Sequence, residues 1–269
     1  MILINGIEAD QLSVTDRGLL YGDGVWETIG VVDGKPQLLE WHLERLQQGL
    51  QALMIKPPDR DMLRHEISMT CAQQVRCILK LIITRGPGSR GYNPLTVESH
   101  TRILQTSPWA SYPAEYAGQG IRLHSCETRL AHQPKLAGFK HLNRLEQVLA
   151  RAEFGDEYQE GLVRDYAGHI IEGTMSNLFV MNEDGSITTP DLQMCGIAGV
   201  MRRFIMQTLE NFGIQCHIRA VELMEVEQAK ALFMTNSLIG LWPVHEFSNK
   251  TYQIPPLVRE LQAAIQNLP

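Results

Sequence analysis

A lysine, a carboxylate and a helix entered through glycines are the residues of this chain best suited to chemistry. Lys140 stands in the run Pro134-Lys135-Leu136-Ala137-Gly138-Phe139-Lys140-His141-Leu142-Asn143-Arg144-Leu145-Glu146, between an apolar Gly-Phe pair and an expected helix start. A lysine ammonium withdrawn from water, or set beside another cation, gives up its proton more readily and becomes a nucleophile toward aldehydes. Arg144 follows four residues later, on the same face of that expected helix. Taken alone, a lysine in such a place is more often a surface charge.

Glu172 leads the run Glu172-Gly173-Thr174-Met175-Ser176-Asn177 between two apolar stretches. If buried, its carboxylate needs a cation or a donor, and a protonated pyridine nitrogen would serve. Gly196-Ile197-Ala198-Gly199 opens a helix, where exposed N–H groups and the helix dipole suit a phosphate. Arg45 sits beside the apolar stripe of an earlier helix and could fork onto the same anion. Thr235-Asn236-Ser237 place three polar side chains at the end of a strand expected to be of parallel type. Each signal has an ordinary alternative: a loop glutamate, a glycine helix start, a solvated arginine, a cap. Together they form the inventory of a pyridoxal phosphate site.

The elements that would position these groups follow from periodicity. Apolar residues at 39, 43, 46, 50 and 53 predict a helix, and a second is expected over 62–75. Asp33-Gly34 predicts a hairpin, residues 77–84 a β-branched strand, and 85–92 a glycine-rich loop. A strand is expected over 121–127, and a helix over 142–154 with Leu142, Leu145, Val148, Leu149 and Ala152 on one face. Hairpins turning at Ala167-Gly168 and Asp184-Gly185, helices over 196–212, 223–229 and 257–265, and a strand over 231–235 complete the reading. Strands in hairpins rather than strict β-α-β alternation imply an α+β or mixed α/β fold with mixed or antiparallel sheets. The expected division is a small N-terminal domain (1–110), a linker (111–119) and a larger C-terminal domain (120–269).

A chain of 269 residues with net charge −6 is large enough for a core without staples, and its charge argues against nucleic acid or an anionic membrane as partner. Five cysteines (Cys71, Cys77, Cys126, Cys195 and Cys216) without a CxxC pair point to a reducing, cytoplasmic setting. Residues 1–6 have no basic stretch and turn polar almost at once, so a secretory signal is not expected there, and apolar runs fall short of the roughly 20 residues that span a bilayer. His42, His141 and Cys195 fit no metal-ligand spacing, and a metal is not expected. The eleven methionines read as core filling.

Asp16-Arg17-Gly18, Tyr21-Gly22-Asp23-Gly24-Val25-Trp26-Glu27-Thr28, His42-Leu43-Glu44-Arg45-Leu46, Lys140 and Glu172-Gly173-Thr174-Met175-Ser176-Asn177-Leu178-Phe179 occur in that order. This order resembles the fold-type-IV pyridoxal-phosphate family, across essentially the whole chain. Two segments, 136–147 and 84–92, resemble in particular the aminodeoxychorismate lyase branch. The resemblance implies that Lys140 carries the cofactor as a Schiff base and that Glu172 faces the pyridine nitrogen. Arg45, the backbone of Ile197 and Ala198, and a side chain from Asn236 or Ser237 would hold the phosphate. It further implies a homodimer, a cofactor between the two domains, and conversion of 4-amino-4-deoxychorismate to 4-aminobenzoate and pyruvate for folate biosynthesis. Thr28, Arg90 and Tyr92 are the candidate ligands for that dicarboxylate. An aminotransferase of the same fold, for branched-chain or D-amino acids, is the competing expectation. A non-catalytic binding protein is the third.

Overall fold

A computed structural model describes residues 1–97 and 99–268, and the chain falls into two compact units. The first comprises Met1–Ala110 and the short segment Phe139–Asn143. Its six-stranded sheet runs β2-β1-β6-β5-β3-β4, from β1 (Ile2–Ile4), β2 (Ile7–Glu8), β3 (Gly24–Val32), β4 (Lys35–Pro36), β5 (Arg76–Thr84) and β6 (Thr101–Pro108). Every pairing in it is antiparallel. Asp33 and Gly34, at φ 49° and 74°, make the expected β3–β4 turn.

Two helices, α2 (Leu39–Ala52) and α3 (Arg60–Cys71), pack on β3 and β6. On β3 the alternation is strict near its start: Val25, Glu27 and Ile29 are buried, while Trp26 and Thr28 between them are half-buried. Leu43, Leu46 and Leu50 of α2 join Leu79, Leu81 and Ile83 of β5 and Leu104 of β6 in the core. A short α1 (Arg17–Tyr21) is capped by the Asp16 carboxylate, which accepts from the Gly18 N–H at 2.8 Å.

The second unit holds β7 (Ile121–Leu130), β8 (Glu160–Asp165), β9 (Ile170–Gly173), β10 (Asn177–Met181), β11 (Ile187–Pro190), β12 (Cys216–Arg219), β13 (Ala231–Asn236), β14 (Gly240–Phe247) and β15 (Lys250–Thr251). Their order is β12-β11-β10-β13-β14-β7-β8-β9, with β15 on β14. The sheet is mixed, with β11–β12, β14–β7 and β7–β8 parallel. α6 (Val200–Asn211) and α8 (Pro256–Gln266) cover a core in which Phe179 and Phe233 stack at 4.9 Å. α7 (Leu223–Gln228) carries a capping box from Glu222 and Glu225.

Three details depart from the sequence reading. Residues 111–119 contain a helix, α4 (Ala114–Gly118), and Tyr112 and Tyr116 pack edge-on against Trp242 at 4.9 and 5.3 Å. α5 spans only Leu145–Arg151 of the helix expected over 142–154, and its apolar face is exposed: Leu145 76%, Val148 61% and Leu149 61%. β13 is antiparallel to both neighbours, β10 and β14, so its end at Asn236 is not the carboxyl end of a parallel strand.

Candidate active site

In the first unit Lys140 is not at a helix start. Its segment is extended and clasped to the beginning of β3: the Trp26 N–H donates to the Lys140 carbonyl at 2.9 Å, and Leu142 N–H to the Gly24 carbonyl at 3.0 Å. The Trp26 indole N–H adds a bond to the His141 carbonyl at 3.2 Å. These strand-type bonds take the groups that a helix would have used, so Arg144 does not share a helical face with Lys140. Phe139, 7% exposed, seals the segment against α2, where a β-carbon on Gly49 would lie 3.0 Å from its ring.

So held, Lys140 places its Nζ 3.9 Å from the centroid of the Trp26 ring. A second ammonium, Lys80 Nζ of β5, lies 4.8 Å from the same centroid. Thr28 is the cross-strand partner of Lys80 and lies two residues from Trp26, on the same half-buried face. Lys80 was missed in the sequence. Its signal is a charge inside the β-branched run 77–84.

Arg45 is only 11% exposed at its side chain, and it is not a solvated helical arginine. Its Nε donates to Glu27 Oε1 at 2.8 Å and its Nη2 to Oε2, which also pairs with His42 Nδ1 at 2.6 Å. Glu27 and His42 are each 1% exposed. Burial alone would push the Glu27 carboxyl up, but the Arg45 charge and the His42 hydrogen bond outweigh it and hold the group at about 2. Burial pulls the His42 imidazole below its ordinary value, with Glu27 opposing and the charges of Arg45 and Lys140 assisting. His42 is thus a neutral donor to Glu27 near neutrality. Neither the pairing of Arg45 with Glu27 nor that of Glu27 with His42 was legible in the sequence.

Arg90 and Tyr92 lie on the exposed loop that follows β5, and Tyr92 is 83% exposed. Because Thr84 pairs with Gly24, that loop leaves from the end of the sheet at which the Lys140 segment is clasped.

The second unit gathers its candidates where β9 and β13 end and β10 and α6 begin. Glu172 is 3% exposed, and its Oε2 accepts the Ile197 N–H at 2.8 Å. Arg144 is half-buried; burial lowers its pKa, against the charges of Glu172 and Glu146. The Ala198 N–H donates to the Gly138 carbonyl at 2.8 Å. The two N–H groups expected to be presented to an anion are therefore turned onto the chain itself. The cause is the left-handed bend at Gly196 (φ 88°), which folds the turn against the buried carboxylate. Asn177 braces the same turn, accepting from Gly199 N–H at 3.1 Å and donating to the Ile197 carbonyl at 2.8 Å.

Asn236 spends its side chain locally, accepting from Leu238 and Ile239 N–H at 2.8 and 2.9 Å and donating to the Met175 carbonyl at 3.0 Å. The turn 173–176 is organised by Glu160, a 1%-exposed carboxylate that sequence reasoning also missed. It accepts from the N–H groups of Gly161, Thr174 and Met175 and from the hydroxyls of Thr174 and Ser176. Among the described residues no group of His, Cys, Asp and Glu could hold a metal ion, and no helix is long and apolar enough to cross a membrane.

Each unit carries groups whose chemistry suits pyridoxal phosphate: the first a half-buried primary amine at Lys140 and the guanidinium of Arg45, the second a buried carboxylate at Glu172 and a hydroxyl at Ser237. The family model for amino-transferase class IV matches residues 24–247. The chain is 38% identical to the aminodeoxychorismate lyase of Vibrio harveyi, over 97% of this chain and 98% of that one. It is 45% identical to the 4-amino-4-deoxychorismate lyase of Pseudomonas aeruginosa, whose crystal structure superposes with a TM-score of 0.96 over 99% of this chain and 98% of that one. A hypothetical aminotransferase from Mycobacterium tuberculosis, solved in a PLP-bound form, shares the fold at 20% identity, with a TM-score of 0.85 over 99% and 97%. The chain belongs to the class IV aminotransferase family and has the type IV fold.

Proposed function

We propose that this chain is a lyase that converts 4-amino-4-deoxychorismate to 4-aminobenzoate and pyruvate with pyridoxal phosphate as cofactor. The similarity to lyases of that activity over nearly the whole chain supports the substrate. The observation that carries the chemistry is the Lys140 amine, held 3.9 Å over the Trp26 ring on a strand-clasped segment. When bound, pyridoxal phosphate supplies an electron sink for the carbon that bears the substrate amine.

Lys140 anchors the cofactor and, once released, takes the proton from that carbon. The neighbouring C–O bond then breaks, the ring becomes aromatic, and the departing enol gains a proton at its methylene carbon to become pyruvate. Glu172 would face the pyridine nitrogen. Arg45 and Ser237 would hold the phosphate, and the Ile197 and Ala198 N–H groups would join them only by exchanging their present partners. Thr28, Arg90 and Tyr92 are the candidate ligands of the two substrate carboxylates.

The chain has a small N-terminal domain, 1–110, and a larger C-terminal one, 120–269. A homodimer is supported by the exposed apolar face of α5. A cytoplasmic setting is supported by the five cysteines, which carry no disulfide.

The test is incubation of the holoprotein with 4-amino-4-deoxychorismate in the absence of any keto acid. Release of equimolar 4-aminobenzoate and pyruvate, abolished in Lys140→Ala, is expected. A requirement for a keto-acid acceptor would replace the lyase with an aminotransferase.

A further inference from the structure

Arg17 is 3% exposed, and its guanidinium reaches from the start of α1 to the glycine-rich loop. Its Nε donates to Asp23 Oδ2 at 2.9 Å, an oxygen shared with Arg85 Nε at 2.7 Å. Its Nη1 donates to the Gly91 carbonyl at 2.7 Å and its Nη2 to the Tyr92 carbonyl at 3.2 Å. The backbone repeats the connection at the other end of the loop: Arg17 N–H donates to the Gly86 carbonyl at 3.0 Å, and Gly88 N–H to the Thr15 carbonyl at 3.1 Å. The guanidinium carbon lies 4.8 Å from the Tyr21 ring centroid, and that ring lies 5.3 Å from the Tyr92 ring.

Residues 86–92 are therefore tied at both ends to residues 15–17, while Arg90 and the Tyr92 side chain stay exposed between or beside the ties. A glycine-rich loop left loose would lose conformational freedom each time it closed on a ligand. One planar fork meets a carboxylate and two carbonyls at set angles, which a lysine cannot do.

We infer that Arg17 is a positioning residue for substrate recognition: it sets the backbone from which Arg90 and Tyr92 reach the substrate carboxylates. This rests on the carboxylate role proposed for those two residues. Arg17 acts on substrate affinity and leaves the proton transfers at Lys140 and the hold on the cofactor alone.

Steady-state kinetics of the holoenzyme with 4-amino-4-deoxychorismate, for Arg17→Met, Arg90→Ala, Tyr92→Ala and the Arg17→Met/Arg90→Ala double variant, test it. Cofactor affinity is followed in parallel by absorbance titration. In Arg17→Met, KM is expected to rise about tenfold, with kcat within about twofold and cofactor affinity unchanged. The double variant is expected to show a KM within about twofold of the worse single variant, because both changes break one unit. A wild-type KM in Arg17→Met, or a loss confined to kcat or to cofactor affinity, overturns the inference. Should Arg17→Met fail to fold, Tyr21→Leu, which removes the ring lying against both Arg17 and Tyr92, must raise KM at least about twofold; an unchanged value overturns it equally. Unchanged KM in both Arg90→Ala and Tyr92→Ala defeats the carboxylate role beneath it. Raised KM in those two with a wild-type KM in Arg17→Met defeats the role of Arg17 alone.

Discussion

Glu27 on β3 and Arg45 on α2, eighteen residues apart in sequence, form a two-pronged ion pair in the interior of the first unit, with His42 completing the carboxylate's contacts. The pair turns a flexible arginine into a guanidinium of set orientation, since a carboxylate anchored in a strand holds the Nε–Nη2 edge in one place. Breaking it leaves an uncompensated buried charge, which costs more than the intact pair contributes.

Glu27→Gln tests this in acid. The folded-state pKa of about 2 lies below the ordinary 4.5, so the stabilisation is complete above about pH 4.5 and is lost as pH falls toward 2. The shift corresponds to about 3 kcal/mol. His42, whose pKa is lowered by burial, adds a loss of stability that begins as pH falls below its ordinary 6.5. Urea denaturation between pH 7 and 3 should show the steep acid limb of the parent flattened in Glu27→Gln. Parallel profiles for the two proteins would remove Glu27 as the source of that limb.

Glu160→Ala should destabilise the second unit by about 3 kcal/mol or more, because it removes the one acceptor shared by the buried Gly161 N–H and Ser176 hydroxyl and by the Thr174 and Met175 N–H groups of the adjoining turn. Glu160→Gln should recover part of that loss, since its carbonyl oxygen still accepts. Cofactor affinity should fall with stability, because the turn at 173–176 follows Glu172 directly. Wild-type denaturation midpoints in both variants would contradict this account.

Trp26→Leu should leave Lys140 chemically intact while removing the aromatic face under its amine and the indole bond to His141. Turnover is expected to fall by about tenfold, while the amine still forms a borohydride-reducible adduct with the cofactor. Loss of the adduct itself, read by mass spectrometry of the reduced protein, would show that the ring is needed for attachment and not for orientation.

Val148→Asp with Leu149→Asp should convert the proposed homodimer to monomers in sedimentation equilibrium. These side chains, with Leu145, form the apolar face of α5 that the first copy leaves exposed. Dimers of undiminished affinity would place the subunit contact elsewhere.

Local order was legible in the residues wherever a pattern is completed by its own neighbours. The 3.6-residue repeat of α2, the β-branched run of β5, and the Asp33-Gly34, Ala167-Gly168 and Asp184-Gly185 turns all stand where their patterns place them. Lys140, Glu172 and Arg45 could be picked out as candidates because their chemistry and neighbours are local too. β14 escaped notice because Pro243 within it removes a ladder donor, yet Pro243 still stands in register opposite Phe233 of β13. The helical pattern at 142–149 misled because the same apolar spacing can face outward.

What only the tertiary structure decided is who answers each charge. The segment at Lys140 is extended because β3 bonds to it; Arg45 is aimed because Glu27, itself bonded to His42, lies under it; the turn at 196–199 folds inward because Glu172 is buried behind it. In each case the partners are 15 or more residues apart, and no residue pattern short of the packed chain brings a donor to its acceptor.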